Sequence, residues 1–296
     1  MQYGVTVPNF GSFFHPASLA NLAREAEEVG WDGFFLWDHV FFALFPTVDP
    51  WVALSAIAMN TTRMCIGPMV TPLPRRRLLK LARETVSLDH LSNGRLILGV
   101  GIGAFAWEWE HLGEEADMRV RGAMLDEGLA VLTQIWSGEP MAHEGEHYTV
   151  HIRDLPGYDK PAHFDPPPVQ SPRIPIWVGG VWPNKPPFRR AARWDGVIPI
   201  REGLELGEIM SPGDLQEILA YVQQHREGDG PFDVVAGAHT EGRDRRKDAE
   251  IVAAYAEVGA TWWLESVSPW DFGWNWQGPW PVEEMEERIR LGPPKG

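Results

Sequence analysis

The sequence predicts a (β/α)8 TIM barrel, and three observations carry that expectation. Short β-branched or aromatic runs alternate with longer amphipathic stretches, the pattern of a parallel α/β fold. The runs number eight, whereas doubly wound sheets usually stop at about five to seven strands. The chain is 296 residues long, a length that (β/α) barrels fill as one domain.

Taken in order, the runs are GVTVP (4–8), GFFLW (33–37), MCIGPMV (64–70), RLILGVG (95–101), IPIWVGG (174–180), GVIPI (196–200), FDVVAGAH (232–239) and TWWLES (261–266). Helical patterns lie between them. Over 17–29, Leu19, Leu22, Ala23, Ala26 and Val29 share one face; over 78–91, Leu81, Val86 and Leu88 point inward. The third run carries Pro68, and a central strand that loses a donor there must bulge, so the ladder is expected to distort near 67–71. Residues 138–172 are Pro-rich and polar and read as an inserted hairpin and long loop between units four and five. A second irregular, Trp-rich stretch occupies about 267–281. No internal repeat of solenoid period is present.

Composition narrows the function. Hydrophobic residues make up 44% and charged residues 23%, enough core-formers for a large buried interior. Lys plus Arg total 26 against 41 for Asp plus Glu, a net charge of −15 that disfavours nucleic acid and anionic lipid as partners. No apolar run approaches the roughly 18–20 residues a membrane span needs. The single cysteine, Cys65, has no partner for an internal disulfide, and MQYGVTVPNF lacks the pattern of a secretory leader. A cytoplasmic protein acting on a small molecule is expected.

In such a barrel the active site lies at the C-terminal ends of the strands. The second run ends in Asp38-His39. A histidine there suits hydrogen bonding to an anionic or redox-active ring, or proton transfer near neutral pH, with the acidic neighbour tuning it; the plainer alternative is that Asp38 caps the next segment and His39 is a satisfied surface residue. The distorted third run places Met69, Val70 and Thr71 at the mouth, where backbone pushed inward serves a ligand. The fourth ends LGVGIGAF, whose Gly99, Gly101 and Gly103 follow strand four of eight and so do not read as a dinucleotide fingerprint; they let a flat ring or a neighbouring strand approach closely. Gly179-Gly180, ahead of a helix, offers backbone N–H groups to a phosphate, or is a simple turn. His143-Glu144-Gly145-Glu146-His147 matches the zinc signature HExxH, but Pro140, Gly145 and the strand-forming Tyr148-Thr149-Val150 favour a hairpin over the required helix. No metal site is expected. Cys65, inside a strand, reads as core, and no GxSxG elbow occurs. Arg75-Arg76-Arg77 at the third helix reads as a solvated face, or as a partner for an acidic cofactor tail.

Together WDHV, IGPMVTPLPRRR, ETVSLDHLSNGRLILGVGIG, PPPVQSPRIPIWVGG and AARWDGV resemble the bacterial luciferase-like flavin/deazaflavin oxidoreductase superfamily, from Gly4 to about Trp263, with LDHLSNGRLILGVG the most specific block. The resemblance implies a cofactor ring at the strand C-termini, backed by a non-prolyl cis peptide at the third strand, placed here near Met69-Val70. It implies either hydride transfer with F420 or monooxygenation with reduced FMN and O2. The Asp-His pair looks like the deazaflavin branch, which would put Asp38 and His39 at the ring and Gly179 and Gly180 at the cofactor phosphate. The sugar-phosphate dehydrogenases of the family carry a glutamate directly after GxGxG, where Ala104 stands here. That difference disfavours glucose 6-phosphate as substrate and leaves a non-catalytic cofactor carrier as a rival reading. Phe41, Phe42, Trp107 and Trp109 are expected to line an apolar substrate cavity over the ring, partly covered by WNWQ (274–277). The alternative puts the Trp-rich tail on the barrel's outside or in a homodimer interface.

Overall fold

Strands buried on both faces must be covered by helices on one side and filled by side chains on the other, and the eight apolar runs meet that demand by closing into a ring. The computed structural model describes residues 1–42, 44–153, 156–157, 159–204 and 209–295. Its strands are β1 (Gln2–Val7), β2 (Gly33–Leu36), β3 (Cys65–Pro68), β4 (Thr71–Pro72), β5 (Leu98–Gly101), β6 (Met141–Glu144), β7 (Thr149–Ile152), β8 (Ile176–Trp182), β9 (Gly196–Arg201), β10 (Asp233–Ala238) and β11 (Trp262–Ser266). Its helices are α1 (Pro16–Glu28), α2 (Pro50–Asn60), α3 (Leu78–Ser92), α4 (Ala106–Glu110), α5 (Met118–Trp136), α6 (Lys185–Ala191), α7 (Pro212–Gln223), α8 (Arg245–Glu257) and α9 (Val282–Arg290).

The sheet runs β3-β2-β1-β11-β10-β9-β8-β5-β4, and its two ends are halves of one broken strand. β3 pairs with β2, β4 pairs with β5, and between them the Met69–Val70 peptide is cis. An Ile66–Leu96 bridge ties β3 to the approach of β5 as well, so eight strand positions close a parallel barrel. The break falls where Pro68 removes the ladder donor. β8 continues two residues beyond the expected end at Gly180. Between α5 and β8 the chain inserts the antiparallel β6–β7 hairpin. It carries His143 and His147, so the two histidines do not share a helix face. His143 Nε2 is 2.9 Å from Glu127, which also accepts from the His147 and Tyr148 amides.

α3 stops on Asn93 and Gly94, both left-handed (φ 56° and 78°), a turn that Asn-Gly adopts at little cost and that delivers the chain into β5. Its Asp89 is fully buried and accepts from the Val169 and Gln170 amides, fastening the end of the insertion to the barrel. Inside the ring, Phe35, Trp177 and Trp262 meet at centroid distances of 5.2 to 5.9 Å and plug the lumen with Val235 and Leu264. Trp262 faces this plug; Trp263, on the opposite face of β11, packs on Tyr255 of α8. Burial of a thiol in β3 pushes Cys65 up to about 11, which leaves it protonated and inert. Among the described residues no helix is long and apolar enough to cross a membrane.

Candidate active site

β2 ends at Leu36, and of the next three residues Trp37 and His39 stand at the barrel mouth while Asp38 turns inward. His39 Nδ1 lies 3.2 Å from Glu108 Oε2, and its side chain is 13% exposed. Four aromatic rings surround the imidazole: Phe10, Phe42, Phe105 and Trp37, with centroids 5.3 to 6.2 Å away. Glu108 comes from α4, the short helix after the glycine run, and its other oxygen accepts from Arg75 Nη1 at 2.9 Å. Arg75 Nε reaches Glu114 at 2.7 Å. Burial works against a charge on Glu108, but the hydrogen bonds and charges of His39 and Arg75 outweigh it and hold its carboxyl below the usual range. The result is a His39–Glu108–Arg75–Glu114 chain whose two middle members are buried, with His39 13% and Glu114 29% exposed at its ends.

The acidic neighbour in sequence plays a different part from the one expected. Asp38 is buried, accepts from Thr71 Oγ1 at 2.6 Å, and pairs with Arg76. Burial pushes its carboxyl up in spite of both partners. Asp38 therefore braces β2 against β4 and presents no oxygen to the mouth. Thr71 likewise spends its hydroxyl on Asp38 and is fully buried. Met69 and Val70 are half-buried between these two strand halves.

The glycines are explained mainly by their protein neighbours. A Cβ on Gly101 would lie 2.8 Å from Val70, and one on Gly179 3.3 Å from it, so Val70 spreads over both as a flat apolar floor. Gly103 has φ +84°, and Trp109 fills the place its side chain would take. Gly179 and Gly180 sit inside the β8–β9 ladder, opposite Ile198 and Pro199, rather than in a turn ahead of a helix. Gly180 faces outward, where a Cβ would strike Pro187 of α6 at 2.5 Å. The pair is a close-packed strand segment and not a cradle of free amides.

Of the four expected cavity residues, Trp107 stacks on Phe105 and Phe41 leaves 48% of its surface exposed. Phe42 is 7% exposed and lies flat on Phe10, 4.2 Å away, so it supports the His39 cage from below. Trp109 does not line a cavity. It is 1% exposed and sandwiched between the guanidinium groups of Arg75 and Arg121 at 4.4 and 4.2 Å. Arg75 and Arg76 are consumed by carboxylates, and only Arg77 of the basic run is exposed.

The Trp-rich tail joins the mouth. Ser268 and Asp271 form a capping box at the 3-10 turn Pro269–Phe272. That turn lays Trp270 flat on Trp37, 6.1 Å away with planes 1° apart. Trp274 meets Trp270 edge-on and Trp276 meets it at a tilt, and Trp280 closes edge-on against Phe10. Sequence reasoning missed Glu108, Phe105 and Asn9, whose carboxamide holds the His39 backbone, and read Arg75 only as a solvated face or a partner for a cofactor tail; the available signal for Glu108 was an acidic residue one helical turn beyond Ala104 in a strand-end loop. A cleft of about 800 Å3 along α8, lined by Met1, Tyr3, Arg245 and Lys295 among others, shares no residue with the mouth.

A family model described as luciferase-like monooxygenase matches residues 1–269. The F420-dependent glucose-6-phosphate dehydrogenase of Nakamurella multipartita is 32% identical over 184 residues, 57% of this chain and 48% of that protein. The chain spans about half the length of the first such curated relatives it matches. Among solved structures, an F420-dependent secondary alcohol dehydrogenase in complex with an F420–acetone adduct superposes with a TM-score of 0.71 at 16% identity, covering 98% of both chains. The oxygenating constituent of 3,6-diketocamphane monooxygenase from Pseudomonas putida, in complex with FMN, gives 0.65 at 21% identity, covering 86% of this chain and 74% of that one. At these identities the structures speak to the fold.

Proposed function

The chain belongs to the luciferase-like monooxygenase family, and from that premise we propose that it is an F420-dependent oxidoreductase acting on a small apolar organic substrate. The observation that carries this reading is His39: a histidine at the mouth, bonded to a buried carboxylate and caged by aromatic rings. The flat apolar floor of Val70 over Gly101 and Gly179 suits one face of a tricyclic ring. When bound, that ring supplies or accepts the hydride. Met69, Val70, Gly101 and Gly103 would back it, and His39 would stand at its edge. Glu108 engages Nδ1 and holds the imidazole in one orientation, which leaves Nε2 as the atom at which His39 can hold or release a proton. The aromatic cage leaves only 13% of the side chain exposed and so limits water at the ring.

Glu108 also supports the enzymatic reading over the rival carrier. The carboxylate whose absence at Ala104 motivated that reading is supplied four residues later, beside His39. Against a sugar phosphate as substrate stands the mouth itself, where Arg75 and Arg76 are already committed to carboxylates and the surrounding side chains are aromatic. An FMN-dependent monooxygenase is the second reading, favoured by the FMN-bound structural neighbour. Parallel titration with F420 and FMN separates the two, and tighter F420 binding is expected. Turnover of apolar ketones or enones with reduced F420 should exceed oxidation of glucose 6-phosphate with F420. Tighter FMN binding, or dominant sugar-phosphate activity, would overturn the choice.

A further inference from the structure

Asn9 lies two residues beyond β1, after Pro8, and is wholly buried. Its carboxamide is spent on backbone alone. Oδ1 accepts from the His39 N–H at 3.1 Å, while Nδ2 donates to the His39 carbonyl at 2.8 Å and to the Val48 carbonyl at 2.7 Å. The Val48 amide in turn donates to the Asn9 carbonyl at 2.9 Å. The orientation of the amide is unambiguous, because a flip would set its NH2 against an N–H and its oxygen against two carbonyls.

The two bonds to His39 fall on either side of one Cα. A side chain that engages both the N–H and the C=O of one residue acts like a strand partner, fixing φ and ψ and with them the direction of the Cα–Cβ bond. His39 lies beyond the last β2 ladder residue, Leu36, so this clasp replaces the sheet as the restraint on its backbone. Few side chains meet the requirement. Aspartate offers no donor to the two carbonyls, serine is too short to span both groups, and leucine leaves all three unpaired.

We infer that Asn9 is a positioning residue for His39: it sets the backbone from which the imidazole reaches Glu108 and the mouth. The catalytic part of this assignment rests on the reading of His39 given above, and the test separates the two. In the free protein with 13C-labelled histidine, Asn9→Ser should displace the His39 ring signal, assigned with His39→Gln, and leave the other nine of the ten histidines in place. This arm needs no cofactor. An unmoved His39 signal, or a uniform shift of all histidines, would overturn the inference. In Asn9→Asp the difference between its His39 signal and that of the unaltered protein, compared at the same pH, should shrink from about pH 8 to 5, because protonating a buried carboxylate restores one donor; a difference that persists would count against it.

The second arm uses turnover with F420 and, separately, FMN. Asn9→Ser should lower kcat about tenfold with KM within about twofold, since misplacing a reacting group costs rate more than binding. In the His39→Gln background the same change should cost less than about twofold, the non-additivity of residues acting through one another. Equal losses in both backgrounds would overturn the inference. Absence of turnover with either cofactor in the unaltered protein would reject the functional reading while the first arm still decides the clasp. Failure of both Asn9 variants to fold would assign Asn9 to core assembly and overturn the positioning role.

Discussion

His39 and Glu108 share one hydrogen bond but were not equally visible in the sequence. His39 stands two residues after an apolar run, so position and residue type both mark it. Glu108 lies in a short helix among Trp107, Trp109 and Glu110, and a carboxylate in such a loop is ordinarily solvated; its role depends on Arg75 arriving from another strand end. His39→Gln should lower kcat about a hundredfold, the scale of one lost proton-transfer group, with F420 affinity changed by less than about threefold; a comparable loss of affinity would move His39 from chemistry to binding. Glu108 also predicts an acid limit. Its folded carboxyl lies below the usual value, so it contributes stability that is present above the unfolded pKa and is lost as pH falls through the folded one. Thermal unfolding followed below about pH 4.5 should show the unaltered protein losing Tm more steeply than Glu108→Gln. Parallel curves would show that the bond to His39 carries no such linkage.

At the scale of elements, the third strand was the most informative stretch of the sequence. Pro68 in a central strand demanded an interruption, and the structure places it between β3 and β4 with the Met69–Val70 peptide cis. The brace across that interruption was not legible, because Asp38 reads from the sequence as a mouth residue and only the pairing of β2 with β3 turns it inward to Thr71 and Arg76. Burial makes the Asp38 charge costly, and Arg76 keeps some access to solvent. Asp38→Asn, which still accepts from Thr71, should therefore change the unfolding free energy by less than about 1 kcal/mol. Asp38→Leu strands the Thr71 hydroxyl and the Arg76 guanidinium together and should cost about 3 kcal/mol. Chemical denaturation of the two variants checks the difference; equal losses would show that the charge, and not the hydrogen bond to β4, does the bracing.

For the whole molecule, the alternation of strand and helix patterns was enough to give the barrel, because each run must be covered outside and filled inside. The glycines misled for the same reason that they are there. Gly103 and Gly180 leave room for Trp109 and Pro187, contacts between distant segments that no local pattern announces. The tail was legible only as a choice: an irregular segment has no periodicity, so the sequence left it either over the mouth or on the barrel's outside, and Trp37 receiving Trp270 brings it to the mouth. The barrel thus carries two aromatic layers, the lumen plug of Phe35, Trp177 and Trp262 below and the tryptophan canopy above, with His39 between them. Trp276 is the outermost of that canopy, 52% exposed, and touches Trp270 and Trp274 without reaching the plug. Its truncation should leave the fold almost intact, lowering Tm by less than about 3 °C as for a surface position. It should raise KM for an apolar enone about fivefold, near 1 kcal/mol, the worth of one aromatic contact. A hydrophilic sugar phosphate gains little from that ring, so its weaker turnover should be unchanged. Steady-state kinetics on Trp276→Ala with both substrates decides the point: an unchanged enone KM would mean that the canopy packs on the barrel without covering a bound substrate.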